Sequence, residues 1–448
     1  MKLKHISGSI TAPQGFLAAG VFCDIKRLGT GKGSNKGPKR DLGIIVSEVS
    51  GTVAGMFTTN QVCAAPVKVC AERVRNGSAQ AVVVNSGNAN ACTGKQGLKD
   101  ALAMAATVAG ELHMPAEEVL VGSTGRIGVA MPMANVKKGI RHASALLGNA
   151  PEHAAEVAEA IMTSDTHRKE VAVEFTLSGK KVRIGGICKG AGMIQPGMSA
   201  TGRRPAAVPA GLHATMLCFI TTDVAIEAAA LQEALQEAAA LSFNRITVDG
   251  DMSTNDTVLV LANGLAGNAP IVASSKRQRE ATSDYALFQA ALSEVCLALA
   301  KMIVRDGEGV SRFVTVRVSG AESFADADAA ARAVANSALV KTSWHGGDPN
   351  WGRIIDALGY SAAKVVEGKV DIGYSAPGSG KVLLSLKRGQ PTKVAFKRLC
   401  AAVAEKEFDL HVRLHLGKSA AVIYAADLTE AYVDFNKGDV SDPSSLGG

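Results

Sequence analysis

The chain has 448 residues, of which 47% are hydrophobic, so it is long enough for two or three domains with a large buried core. No apolar run approaches the ~20 residues of a membrane helix and the N-terminus lacks a secretion signal, which favours a cytoplasmic protein with no membrane partner. The net charge of +7 accompanies only 4% aromatic residues, which argues against a nucleic-acid partner.

β-Branched strands alternate with alanine-rich helices along the chain, and this predicts an α/β (mixed α+β) fold. We predict strands at 42–49, 81–84, 119–122, 171–177, 181–187, 244–248, 257–261, 312–318, 369–373, 381–386, 411–416 and 420–425. We predict helices at 98–112, 135–147, 154–162, 229–241, 285–302 and 325–335. The strands that flank Ser178-Gly179-Lys180 are expected to form a hairpin.

Three segments interrupt the alternation. The stretch 26–40 is a basic, glycine-rich insertion, which we interpret as a solvated loop, with attraction of an anionic cofactor as the alternative. The stretch 199–213, rich in glycine, proline and arginine, predicts an exposed irregular loop. The C-terminal stretch 441–448 consists mainly of small residues and is expected to fray unless it docks.

Several motifs fail as cofactor or metal sites. The run Gly29-Thr30-Gly31-Lys32-Gly33-Ser34 imitates a phosphate loop but has Lys26 where the first glycine belongs. The run 249–256 opens like a calcium loop but lacks its glycine and its bidentate glutamate. The eight cysteines show no Cys-x-x-Cys spacing, so we expect free thiols and no metal.

Glycine-rich polar turns end two of the predicted strands, at 85–94 and 122–128. Such turns can aim backbone N–H groups at a developing oxyanion, although for either turn alone an ordinary tight turn is the better interpretation. Lys189 at a strand end, the Ser164-Asp165-Thr166 turn and Glu308 between glycines are further candidates, each with a plain surface role as the alternative.

The run 213–223 places Ala214-Thr215 at the head of an apolar strand. Cleavage between these residues would give Thr215 a free α-amine, which can accept the proton of its own hydroxyl near neutral pH. Taken alone, an alanine-threonine step before a strand favours an ordinary strand edge.

Together these pieces resemble the ornithine acetyltransferase family, also called glutamate N-acetyltransferase or ArgJ. The resemblance also includes Ile10-Thr11-Ala12-Pro13-Gln14-Gly15-Phe16, Phe57-Thr58-Thr59-Asn60 and Asp348-Pro349-Asn350-Trp351-Gly352-Arg353-Ile354. It implies a self-processing fold like that of the DmpA aminopeptidases, with helices layered on sheets. It also implies cleavage at Ala214-Thr215 into an α chain, 1–214, and a β chain, 215–448, which assemble as an α2β2 heterotetramer.

The resemblance assigns roles residue by residue. Thr215 is the nucleophile, and Thr124 and Gly125 form the oxyanion hole. Substrate contacts are implied for Thr166, Lys189, Thr215, Glu308, Asn436 and Ser441. Since Asn436 and Ser441 lie in or beside the tail, the resemblance implies that the tail docks at the site.

The implied reaction moves acetyl from N2-acetyl-L-ornithine to L-glutamate by a ping-pong mechanism without metal or bound cofactor. Some members of the family also take acetyl from acetyl-CoA, and the resemblance leaves this second activity open. The chain departs from the family in the insertion 199–213, which precedes the cleavage site, and in Met252, where the family usually has threonine. Two alternatives stay open: a self-processing aminopeptidase or amidohydrolase of related architecture, and a non-catalytic relative that never matures.

Overall fold

A computed structural model describes residues 3–26, 39–203, 216–272 and 283–437. These residues form two compact units. The first unit contains the chain up to Asn244 and then Asp251–Ile303, and the second contains Arg245–Gly250 and Val304–Lys437.

The described strands are β1 (Lys4–His5), β2 (Phe16–Val21), β3 (Leu42–Thr58), β4 (Ser78–Asn88), β5 (Val119–Arg126), β6 (Lys169–Leu177), β7 (Lys180–Lys189), β8 (Met198–Ser199), β9 (Leu217–Thr222), β10 (Ile246–Thr247), β11 (Thr257–Ala262), β12 (Phe313–Ala321), β13 (Asp371–Ser375), β14 (Leu383–Lys387), β15 (Gln390–Pro391), β16 (Glu407–Arg413) and β17 (Ser419–Ala426). The described α-helices are α1 (Ala65–Arg73), α2 (Gly94–Leu112), α3 (Met133–Ala145), α4 (Pro151–Ala160), α5 (Ala228–Leu241), α6 (Asp284–Arg305), α7 (Phe324–Asn336), α8 (Ala338–His345), α9 (Trp351–Gly359), α10 (Phe396–Val403) and α11 (Glu430–Asn436).

The first unit is built on a mixed sheet in the order β1-β6-β7-β9-β11-β3-β4-β5, with β2 and β8 also paired to β3. β9 runs parallel to β11 and antiparallel to β7. The register places Lys189, Leu217 and Thr257 in one row across β7, β9 and β11. Residues that follow Lys189 or precede the other two therefore meet at one end of these three strands.

Alternation along β3 buries both faces of this sheet, because Ile44 and Ile45 belong to different core clusters. On one face the cluster includes Met104 of α2 and Ile140 of α3. On the other face it includes Val157 of α4. The sheet is therefore covered by helices on both sides.

The second unit has its own sheet, in the order β10-β17-β12-β16-β13-β14-β15. Apolar residues of α7 to α10 pack with this sheet in one cluster, which includes the buried Trp344. Edge-to-face contacts of Phe408 with Trp344 and Tyr374 lie within it. Each unit thus buries a separate core.

The predicted mixed α/β fold with helices layered on sheets is confirmed, as is the hairpin between β6 and β7. The strand predicted at 411–416 is wrong in position: β16 spans Glu407–Arg413, because Phe408, Leu410 and Val412 are buried in register with β12. The strand predicted at 244–248 shrinks to the two residues of β10. β2 and the two-residue strands β1, β8 and β15 are missed. Five short helices, α1 and α8 to α11, are also missed, because each spans only seven to nine residues, too few to show a clear helical period.

By length and composition alone, α6 could cross a membrane. Half of its most apolar stretch is, however, buried inside the protein. Its buried residues pack on the first sheet: Leu299 and Val295 border Gly186 of β7, and the Leu299 carbonyl lies near the thiol of Cys188. These contacts make α6 a core helix of this fold.

Candidate functional site

Thr124 and Gly125 lie near the end of β5, where the ladder with β4 becomes irregular at Gly87 and Asn88. Gly125 has φ +128°, and a Cβ there would lie 2.4 Å from the Gly87 carbonyl carbon, so only glycine fits. Thr124 is buried, and its Oγ1 has no hydrogen-bond partner in the part of the chain that the structure describes. A buried hydroxyl without a partner calls for an explanation, and an oxygen of a ligand would supply one.

Met216, the residue after Thr215, begins the described part of the central strand pair. Its backbone N–H donates to Asp256 Oδ1 at 2.6 Å, and its carbonyl accepts from the N–H of Thr257 at 3.1 Å. Asn255 Nδ2 donates to the carbonyls of Ala89 and Ser123 at 2.7 and 2.8 Å. The backbone next to Thr124 is thereby tied to the backbone next to Thr215.

Lys189 ends β7 and is buried, beside a second buried lysine that sequence reasoning missed. Lys169 Nζ donates to Asp165 Oδ1 at 2.7 Å, and the backbone N–H of Gly190 donates to the same oxygen at 2.7 Å. Asp165 Oδ2 accepts from the N–H of Thr163 at 3.0 Å. One buried carboxylate therefore joins the turn at 163–166 to the end of β7.

The pKa values of two carboxyl groups near Lys189 are shifted in opposite directions. Burial tends to raise the pKa of Asp165, but the ammonium groups of Lys189 and Lys169 and the Gly190 amide outweigh it and hold that pKa well below its usual range. Burial raises the pKa of Asp256 well above its usual value, although the Met216 amide and Lys189 act in the other direction. Asp256 Oδ2 is buried without a hydrogen-bond partner within the described ranges.

Thr166 lies on the same turn as Asp165, and its side chain is exposed. Its Oγ1 contacts His167 Nδ1 at 2.9 Å. Since Asp165 fixes this turn against Gly190, the exposed hydroxyl of Thr166 and the buried Lys189 belong to one local assembly in the first unit.

Glu308 and Asn436 meet within the second unit, where Asn436 Nδ2 donates to Glu308 Oε2 at 3.0 Å. Thr429 caps α11, and its hydroxyl donates to the Gly309 carbonyl at 2.7 Å. A Cβ on Gly309 would lie 2.4 Å from the backbone nitrogen of Tyr432, so this glycine lets α11 approach the Glu308 loop. Glu308 and Asn436, two of the substrate contacts implied by the resemblance, thus lie side by side in the second unit.

Three predicted site residues, Ala214, Thr215 and Ser441, lie outside the described residues. So do most of the basic insertion 26–40 and most of the loop 199–213. At the described end of the basic insertion, Arg40 forms ion pairs with Glu156 and Glu159 of α4 at 2.9 and 2.8 Å. Arg40 thus binds the protein's own carboxylates.

The residues that sequence reasoning missed are Asp165, Lys169, Asn255 and Asp256. Asp165 stands inside the turn chosen for Thr166, and Asn255 and Asp256 end the run excluded as a calcium loop. Their buried polar character is set by tertiary contacts, so no local pattern separates them from a surface turn. Within the described ranges, no group of three or more His, Cys, Asp or Glu side chains could hold a metal ion.

Comparison with known proteins gives a consistent result. The family model described as "ArgJ family" matches residues 18–438. The arginine biosynthesis bifunctional protein ArgJ of Symbiobacterium thermophilum is 47% identical over 436 residues, which cover 97% of this chain and 99% of that protein.

Two solved structures are also similar. The crystal structure of arginine biosynthesis bifunctional protein ArgJ from Bacillus halodurans is 42% identical, covers 44% of this chain and 98% of its own, and has a TM-score of 0.41. That of ornithine acetyltransferase complexed with ornithine from Mycobacterium tuberculosis is 37% identical, covers 44% of this chain and all of its own (100%), and has a TM-score of 0.40.

Proposed function

The chain belongs to the ArgJ family and is an acetyltransferase of arginine biosynthesis, and from this premise we propose that it transfers acetyl from N2-acetyl-L-ornithine to L-glutamate through an acetyl-threonine at Thr215. The observation that carries the proposal is the unpartnered hydroxyl of Thr124, tied through Asn255 and Asp256 to the residue after Thr215. A hydrogen-bond donor that stabilises the tetrahedral oxyanion accelerates acyl transfer.

Maturation begins with the uncut chain. Thr215 Oγ attacks the carbonyl carbon of Ala214, and the amide nitrogen of Thr215 leaves as a free α-amine while an ester forms. Water then hydrolyses that ester and releases the carboxylate of Ala214. The products are an α chain, 1–214, and a β chain, 215–448, whose first residue carries both nucleophile and base.

Acetyl transfer then proceeds in two halves. The α-amine of Thr215 accepts the hydroxyl proton as Oγ attacks the acetyl carbon of N-acetylornithine, and Thr124 with Gly125 stabilises the tetrahedral oxyanion. Ornithine leaves with the returned proton, and an acetyl ester remains on Thr215. The neutral amine of glutamate attacks the ester carbonyl and gives a proton to the α-amine of Thr215. The ester C–O bond then breaks, Oγ takes up that proton, and N-acetylglutamate leaves without metal or bound cofactor.

Substrate recognition uses charge and hydrogen bonding. Lys189 is assigned to the α-carboxylate, because it is a buried cationic side chain and a charge-assisted hydrogen bond to a carboxylate is strong in such a place. Glu308 is assigned to the ammonium end of the substrate. Thr166, Asn436 and Ser441 complete the set of proposed contacts.

The proposal extends to assembly and to a second donor. We place the mature enzyme in the cytoplasm as an α2β2 heterotetramer. Acetyl-CoA can replace N-acetylornithine in the first half-reaction, because the same oxyanion donors serve a thioester carbonyl.

Two measurements test the function. Intact mass of the purified protein should give two chains, the second beginning at Thr215, and a single full-length mass with full activity would contradict maturation. Incubation with N-acetylornithine should yield N-acetylglutamate only when glutamate is added. Release of acetate without glutamate would identify a self-processing hydrolase instead, and an intact inactive chain would identify a non-catalytic relative.

A further inference from the structure

Two consecutive residues, Asn255 and Asp256, connect the two halves of the proposed site. Both are buried at the start of β11, next to β9 in the sheet. They end the 249–256 run, which lacks the glycine and the glutamate of a calcium loop. Their side chains are instead directed at backbone groups of other strands.

Asn255 fixes the oxyanion side. Its Nδ2 donates to the carbonyl of Ser123, which directly precedes Thr124, and to the carbonyl of Ala89, which follows β4. Its Oδ1 accepts from Thr254 Oγ1 at 2.5 Å. Because both amide protons are used, Asn255 holds the irregular ends of β4 and β5 in one arrangement.

Asp256 fixes the nucleophile side. Its Oδ1 accepts from the N–H of Met216, and its own carbonyl accepts from the N–H of Thr58 at 2.9 Å. Met216 is the first described residue after Thr215, so this bond fixes the backbone of the residue that follows the proposed nucleophile.

We propose that Asn255 and Asp256 are positioning residues for acetyl transfer, which hold the backbone at Met216, the residue after the proposed nucleophile, against the strand end that carries the oxyanion donor Thr124. This inference rests on the proposed function. Adjacent Cα atoms lie ~3.8 Å apart, so the dipeptide is a short rigid link between the two anchored segments. A displacement of about 1 Å at a reacting centre can cost ~10²-fold in rate, so the link acts on kcat.

The decisive variant is Asn255→Ala, measured on the cleaved fraction of the protein. We expect kcat for acetyl transfer to fall by ~10²-fold while KM for N-acetylornithine changes little, because substrate contacts stay in place. The matched control is Asn268→Ala, since buried Asn268 also binds backbone groups, those of Ala225 and Ala269, outside the proposed site. Both variants should lower the unfolding midpoint, and only Asn255→Ala should lower kcat.

Variants of Asp256 supply a second test of the positioning role, which can be used if Asn255→Ala does not fold. Asp256→Asn keeps an oxygen that accepts from Met216, so it should retain clearly more kcat than Asp256→Ala. Its control is Asp223→Asn at the opposite end of β9, where buried Asp223 accepts from the backbone N–H groups of Arg183 and Gln14. Asp223→Asn should keep the kcat of the unmodified enzyme.

Unchanged kcat in Asn255→Ala, an equal loss in Asn268→Ala, or no rescue by Asp256→Asn would overturn the inference. Failure of the proposed function is a separate outcome, because the unmodified enzyme would then form no N-acetylglutamate.

Discussion

Thr124 carries a buried hydroxyl that has no hydrogen-bond partner within the described residues. Thr124→Val keeps the shape of the side chain and removes the donor. We expect kcat for acetyl transfer to fall by ~10²- to 10³-fold. Since no protein hydrogen bond is lost, the free energy of unfolding should stay the same or rise by up to ~1 kcal/mol. Steady-state kinetics and urea unfolding measure the two effects.

A matched control for this prediction is Thr221→Val. Thr221 is equally buried on β9, but its hydroxyl donates to the Ile10 carbonyl at 2.8 Å. Its loss should cost ~1 kcal/mol of stability and leave kcat unchanged. The same behaviour in both variants would argue that the Thr124 hydroxyl plays no part in the reaction.

Family motifs in the sequence predict Thr124, Gly125, Thr166 and Lys189 as site residues, and these roles stay predictions. The buried Asp165–Lys169 pair has no such motif and could not be predicted. A lysine in a strand is usually a surface residue, and only the fold reveals that Lys169 is fully buried against a carboxylate.

The position of β9 in the first sheet bears on how the proposed cleavage products would be held together. This strand begins shortly after the proposed cut and lies between β7 and β11. β11 in turn pairs with β3. We therefore expect the cleaved chains to stay associated through hydrogen-bonded strands on both sides. Size-exclusion chromatography of cleaved protein should give one particle without denaturant and two chains in denaturant. Separation under native conditions would contradict this arrangement.

Long, regular elements could be predicted from the sequence and short ones could not. The helices near 98–112 and 285–302 were found because their alanine and leucine content is high over several turns. The helix α9 was missed, since it has nine residues and begins with tryptophan and glycine. β16 was misplaced because His415, with φ +52°, ends the extended backbone before the predicted strand end.

For the whole molecule, the second unit contains both tryptophans of the chain, Trp344 and Trp351, so intrinsic fluorescence reports on that unit. Lys341 is buried there and donates to the carbonyl of Ala426. Burial lowers its pKa to about 8, while Asp249 and Asp427 act in the other direction.

This shift sets a pH dependence of stability. The folded pKa of Lys341 lies below the unfolded value of ~10.4. Above pH ~10.4 the amine is neutral in both states, and its burial then costs no stability. As pH falls through about 8 the buried amine becomes charged, and the folded state is destabilised. We expect the free energy of unfolding, obtained from urea titrations followed by tryptophan fluorescence, to rise between pH 8 and 10 by an amount on the order of 2 kcal/mol. Lys341→Met should flatten this rise, and an unchanged slope in that variant would assign it to other groups.

The division into two units could not be predicted from the sequence. The chain passes between them at Asn244–Arg245, Gly250–Asp251 and Ile303–Val304, and the last crossing lies inside α6. None of these crossings is a proline- or glycine-rich linker. The boundary is defined by contacts between residues distant in sequence, so the local composition of the chain does not indicate it.

The strand order of the first sheet also bears on whether the two segments on either side of the proposed cut could be made as separate polypeptides. The strands before the proposed cut include β7 and β3, and those after it include β9 and β11, which fill the space between them. Two separately translated fragments would each expose unpaired strand edges, which favour aggregation. If the proposed cut occurs, we therefore expect it to follow folding of one continuous polypeptide, in which all four strands are already paired.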